Sequence, residues 1–151
     1  MIWDIYKYKR DKKEKEKTVT SAVEKELKQN ISILLNNKGI LEKELTLIEN
    51  GKAIITPLNR LKNGFWDLIK IHLPKKYDNP DYLLKIDEVF SLINIVNNQI
   101  RNREMFKINN KALSSYNSIL KVYDEYINDL TIKLIDEISK LLEMTNKNKA
   151  N

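Results

Sequence analysis

Apolar residues in this 151-residue chain recur at alternating three- and four-residue steps, the period that gathers them on one face of an α-helix. Val23, Leu27, Ile31, Leu34, Leu41, Leu45 and Ile48 trace the first stripe and predict a helix from about Thr20 to Glu49. Lys38 takes the slot between Leu34 and Leu41 where a hydrophobe is expected. The stripe resumes in phase beyond Gly39, so the helix is expected to run through it, continuous or bent, and to stop at Asn50-Gly51, where glycine tolerates a left-handed backbone. Ile33, Ile40 and Leu47 form another apolar line on the same helix, surplus to one buried face.

After a linker at Ala53-Ile-Ile-Thr56, two short helices are expected. One begins at Thr56-Pro57, an N-cap followed by proline at N1. The other follows Asn63 and ends before Leu73-Pro74. Phe65, Trp66 and Ile69 are its apolar anchors, with Trp66 expected to plug a groove between the first and third major elements. That third element starts sharply at Asn79-Pro80-Asp81 and carries Tyr82, Ile86, Val89, Ile93, Val96 and Ile100, broadened by Leu83 and Phe90, to an end near Phe106. The last long helix begins near Lys111 or Ser115. Its stripe is Tyr116, Leu120, Tyr123, Ile127, Leu130, Leu134, Ile138 and Leu141, before a polar tail.

These stripes predict an all-α fold, an antiparallel bundle of three long helices with one or two short connecting helices. Residues 1–18 read as a charged N-terminal extension, 19–145 as the bundle and 146–151 as a flexible tail. The heptad-like spacing also permits a coiled coil with a second chain.

Composition narrows the chemistry. The length suits one domain, and three glycines and three prolines leave few turns for a sandwich or barrel. With no cysteine, disulfides, thiol catalysis and thiolate metal sites are excluded. No apolar run approaches the roughly 20 residues that cross a bilayer, and the first ten residues lack the pattern of a secretory signal. A cytoplasmic location or the cytoplasmic membrane periphery is therefore expected.

The formal charge of +6 sits mostly at the ends: residues 1–17 hold seven basic and four acidic side chains, and Lys147 and Lys149 lie in the tail. Only four of the 27 basic residues are arginines, which weakens the case for base and phosphate recognition. Trp3, Tyr6 and Tyr8 precede the run from Arg10 to Lys17. Aromatics beside cations suit a membrane interface or a partner groove, and a plain helical extension is the simpler reading.

No catalytic constellation emerges. His72 stands alone, without a serine, cysteine or carboxylate pattern around it, and reads as a surface or structural histidine. The carboxylate pairs Glu24 and Glu26, Asp87 and Glu88, and Asp136 and Glu137 lack the Glu-x-x-His pattern of di-iron bundles. There is no glycine-rich phosphate cradle. Catalytic, cofactor-binding and metal-binding residues are all expected to be absent. Asn94, Asn97, Asn98 and Asn102 lie in or beside an apolar helix face; solvent exposure is the plain reading, with Asn94 and Asn97 the candidates for fixing register from within.

Glu24-Lys-Glu-Leu-Lys-Gln-Asn30, Phe65-Trp66-Asp67 and Leu84 through Phe90 to Asn94 resemble uncharacterised prokaryotic helical domains, many of them membrane-tethered. The matching positions are Glu26 with Asn30, Trp66, and Phe90 with Asn94. The resemblance covers residues 22–106, lacks the N-terminal membrane helix often present, and implies no catalytic residue. Trp66, Phe90 and Asn94 are thus expected as structural anchors, and Trp3, Tyr6 and Tyr8 as partner or membrane contacts. The combined reading is a non-enzymatic interaction or scaffold domain, self-associating or bound to another helical protein, with peripheral membrane contact. A nucleic-acid-binding helical protein and an enzyme with an unrecognised active site are the alternatives.

Overall fold

The computed structural model describes residues 1–52, 56–64 and 79–150. Three long helices make up the described fold: α1 (Ile2–Glu49), α2 (Pro80–Asn109) and α3 (Tyr116–Ala150).

Local chemistry sets their ends. α1 passes Gly39 without a break and closes in a Schellman motif, with Gly51 at φ 70°, Gly51 N–H donating to Ile48 O at 3.0 Å and Lys52 N–H to Leu47 O at 2.8 Å. Two carbonyls that the helix end leaves open are thereby paired. At α2, Asn79 Oδ1 accepts from Asp81 N–H at 2.9 Å, and Pro80 fills N1, where the missing donor costs nothing.

Two boundaries differ from those the apolar stripes mark. α1 begins at Ile2, not near Thr20, because a run of lysines and glutamates favours helix without needing an apolar face. The helical backbone of α3 continues through Asn146 to Ala150. The helix expected at Thr56-Pro57 does not form: residues 56–63 have no helical bonding. Neighbouring side chains hold their backbone groups instead. The second short helix, with Phe65, Trp66, Ile69 and His72, lies outside the described residues.

α3 forms the main helix-to-helix contacts with both other helices. It runs antiparallel to α2, since Arg103 meets Asp124 at one end and Tyr82 Oη lies 2.7 Å from Thr145 Oγ1 at the other. The connection 56–64 travels down the opposite side, between α1 and α2. Its positions Asn59, Lys62 and Gly64 meet Asn37, Asn30 and Glu26 on α1, and Leu58 and Leu61 meet Glu104 and Asn97 on α2. α1 and α2 therefore run parallel, with an extended segment in place of a fourth helix.

The core gathers Leu27, Leu34 and Leu41 from α1, Ile86, Val89, Phe90, Ile93, Val96 and Ile100 from α2, and Ile127, Leu134, Ile138 and Leu141 from α3. Leu58 and Leu61 of the connection join it.

Candidate functional site

Polar residues occupy core positions at regular intervals. On α1, Leu27, Leu34, Leu41 and Ile48 repeat every seven residues, and the companion positions one helical step on are Asn30, Asn37 and Glu44, all buried. Asn37 is the inward residue where the stripe was expected to place Lys38, which is half-exposed and pairs with Glu42 at 2.8 Å.

The asparagines clamp the connection. Asn30 gives and takes one hydrogen bond each with the backbone of Lys62, Asn37 does the same with Asn59, and Asn97 with Leu61, all six between 2.7 and 3.0 Å. Glu26 Oε1 accepts from Gly64 N–H at 2.9 Å and Glu104 Oε1 from Leu58 N–H at 3.2 Å. The spacing has a geometric reason. Seven helical residues rise about 10.5 Å, close to the span of three extended residues. Asn30 and Asn37 thus match Lys62 and Asn59, while Asn97 and Glu104 match Leu61 and Leu58. A carboxamide suits this task because it offers one donor and one acceptor side by side, the complement of a peptide unit.

At the end of the bundle where α1 and α2 finish, the polar layer becomes ionic. Arg103 is 0% exposed; its Nε donates to Asp124 Oδ1 at 2.7 Å, Nη2 pairs with Glu44 and Nη1 with Glu104. Lys107 Nζ reaches the other oxygen of Glu44 at 3.0 Å. Three carboxyl groups face two cations. Burial is the largest influence on Asp124 and raises its pKa to about 7, with a hydrogen bond to Glu44 adding to the rise. Burial also opposes ionisation of Glu44, but the hydrogen bond from Asp124 and the charges of Arg103 and Lys107 prevail and lower its pKa. Below about pH 7 a proton held by Asp124 leaves two carboxylates opposite two cations, which balances the charge of the layer. Phe106 stacks on Tyr116 at 5.4 Å and borders Tyr123 at 5.5 Å, forming an aromatic group beside this layer.

No protein-family model, curated protein or solved structure matches the chain.

Two surface features stand out. Every residue from Met1 to Thr18 whose side chain is described is exposed, although the backbone is the start of α1. Trp3 is 73% exposed, Tyr6 62% and Tyr8 69%, with the Trp3 and Tyr6 rings stacked at 6.3 Å. The first buried side chains of α1 are Glu26 and Leu27. The other feature is an open polar cleft between the clamped connection and α2, lined by Arg60, Asn63, Asn94, Asn97, Asn98 and Arg101.

Phe90 is buried in the core. Asn94 is exposed, and its Oδ1 accepts from Asn63 Nδ2 at 3.2 Å at the cleft rim. Trp66 and His72 lie outside the described residues. Among the described residues no group of histidine and carboxylate side chains could hold a metal ion, and no helix is long and apolar enough to cross a membrane. Asn30, Asn37, Glu44, Arg103 and Asp124 are buried polar residues that an apolar stripe passes over. The missed signal was a polar residue recurring at the positions to which a heptad extrapolates.

Proposed function

We propose that this chain is a non-enzymatic helical interaction domain carried on a helical arm whose tip contacts a membrane surface. The observation behind this reading is the continuity of α1, which leaves the packed body and ends in exposed Ile2, Trp3, Ile5, Tyr6 and Tyr8. Indole and phenol rings favour the boundary between acyl chains and water. Lys7, Lys9 and Arg10 on the next turns attract anionic headgroups. No described side chain of the arm is buried by the fold, which leaves the aromatic cluster facing solvent.

Co-sedimentation with vesicles tests the proposal. Binding should be stronger to vesicles containing phosphatidylserine than to phosphatidylcholine alone, and should fall with salt. Trp3→Ala, Tyr6→Ala and Tyr8→Ala together should abolish it while leaving thermal unfolding unchanged. No sedimentation with either vesicle would remove the membrane reading.

A second reading, self-association through α3, is favoured by Ile119, Val122 and Tyr126. They are exposed at three- and four-residue spacing on its outer side. A strict monomer by light scattering would exclude it.

A further inference from the structure

Two of the four arginines of the chain line one cleft. Arg60 projects from the clamped connection and Arg101 from α2, both exposed, and no carboxylate of the described residues forms an ion pair with either. The nearest acid in sequence on α2, Glu104, is engaged elsewhere, with Arg103 and Leu58 N–H. The remaining polar lining consists of asparagine amides, so among the described residues the cleft has two guanidinium charges and no acidic lining residue.

The amides divide into two kinds. Asn97 is committed, both its polar atoms being bonded to Leu61, and this holds the Arg60 side of the cleft against the α2 side. Asn63 donates to Asn94 Oδ1, which turns the Asn94 amide nitrogen into an available donor; Asn98 adds another amide on the same helix, four residues after Asn94. The walls are thus preorganised by the same clamp that fixes the connection.

We propose that this cleft binds a soluble phosphomonoester, with the phosphate between Arg60 and Arg101 and the remaining polar groups of the ligand on Asn94 and Asn98. Charge selects phosphate over carboxylate: a phosphomonoester carries close to two negative charges at neutral pH and matches two guanidinium groups, which also bind its oxygens in pairs. Carboxamides complement neutral donor and acceptor edges such as those of a nucleobase. Distance favours a soluble source over a lipid headgroup. The clamp level on α1, residues 30–37, lies about 40 Å along the helix from Tyr6, at 1.5 Å per residue, so an arm tip at a membrane keeps the cleft away from it.

The test is a two-dimensional amide NMR titration of the full chain with adenosine monophosphate, inorganic phosphate and, separately, vesicles containing phosphatidic acid. The expected result is saturable shifts of the Asn94 and Asn98 side-chain amides with the nucleotide, weaker ones with inorganic phosphate, and none with vesicles. Arg60→Gln with Arg101→Gln should weaken nucleotide binding by at least about tenfold, since each charge-assisted contact is lost. Both side chains are exposed, and an unchanged amide spectrum elsewhere verifies that the fold persists. Equal affinity for nucleotide and inorganic phosphate would overturn the role given to the asparagines. Shifts spread over the exposed lysines, an affinity unaltered in the double variant, a response to vesicles alone, or no saturable shift would overturn the site.

Discussion

Arg103 and Asp124 meet across the contact between α2 and α3, Nε to Oδ1 at 2.7 Å, with both side chains wholly out of water. Each is affordable there only because Glu44, Glu104 and Lys107 complete the layer. Removing one member of such a group strands the rest. Arg103→Met should therefore destabilise the fold by about 3–5 kcal/mol, the usual result of leaving a buried charge unpaired. Arg103→Lys should fare little better, because an ammonium cannot address three carboxyl groups in one plane. Urea unfolding of the three proteins checks both outcomes; a loss below about 1 kcal/mol for the methionine variant would contradict the paired-layer account.

The proton on Asp124 makes stability depend on pH. Its folded pKa, about 7, lies above the ordinary value of 3.8, so between these pH values the unfolded chain releases the proton while the folded chain keeps it. This contribution is complete below about pH 4 and lost as pH rises to about 7, at up to about 1.4 kcal/mol per pH unit. Glu44 acts in the opposite direction, its lowered pKa withdrawing stability in stronger acid. Asp124→Asn keeps an acceptor for Arg103 and a permanent donor for Glu44. The variant should show a flatter dependence of Tm on pH between about 4 and 7 and exceed the parent above pH 7. An unchanged slope would show that another group titrates.

The clamp predicts protection without secondary structure. The amide hydrogens of Asn59, Leu61 and Lys62 donate to Asn37, Asn97 and Asn30, so they should exchange with solvent slowly. Asn37→Ala should expose the Asn59 amide to exchange and cost about 2–4 kcal/mol, because a part-buried N–H and C=O lose their partners together. Asn37→Asp tests geometry against charge: it retains the acceptor, loses the donor and turns an anion toward the Asn59 carbonyl. It should destabilise as much as alanine does. Rapid exchange at all three amides in the parent would contradict the clamp.

The long helices are legible in the sequence because burying a stripe demands apolar residues at helical intervals. The residues that organise the polar core are not, since the same demand passes over every inward position that is polar. Asp124 and Thr131 lie inward where Tyr123 and Leu130 seemed to continue the stripe of α3, and Thr131 satisfies its hydroxyl on Ile127 O at 2.7 Å. Thr56-Pro57 reads as a helix start from local capping chemistry alone. What overrides it is tertiary: partners on α1 and α2, about 20 to 45 residues away in sequence, hold its neighbours extended. The arm is legible as a plain helical extension from its lysines and glutamates, but with no apolar stripe nothing in the periodicity joins it to the helix that follows.

The central functional claim is that the aromatic tip of α1 enters a membrane interface, and Trp3 can report it. The chain has two tryptophans, so Trp66→Phe leaves Trp3 as the sole indole. Its emission should be that of an indole in water in the free protein, since the side chain is 73% exposed. On adding phosphatidylserine vesicles the emission should shift to shorter wavelength and become sensitive to quenchers placed near the headgroups. Unshifted emission at saturating lipid, with quenching only from the aqueous phase, would contradict the claim.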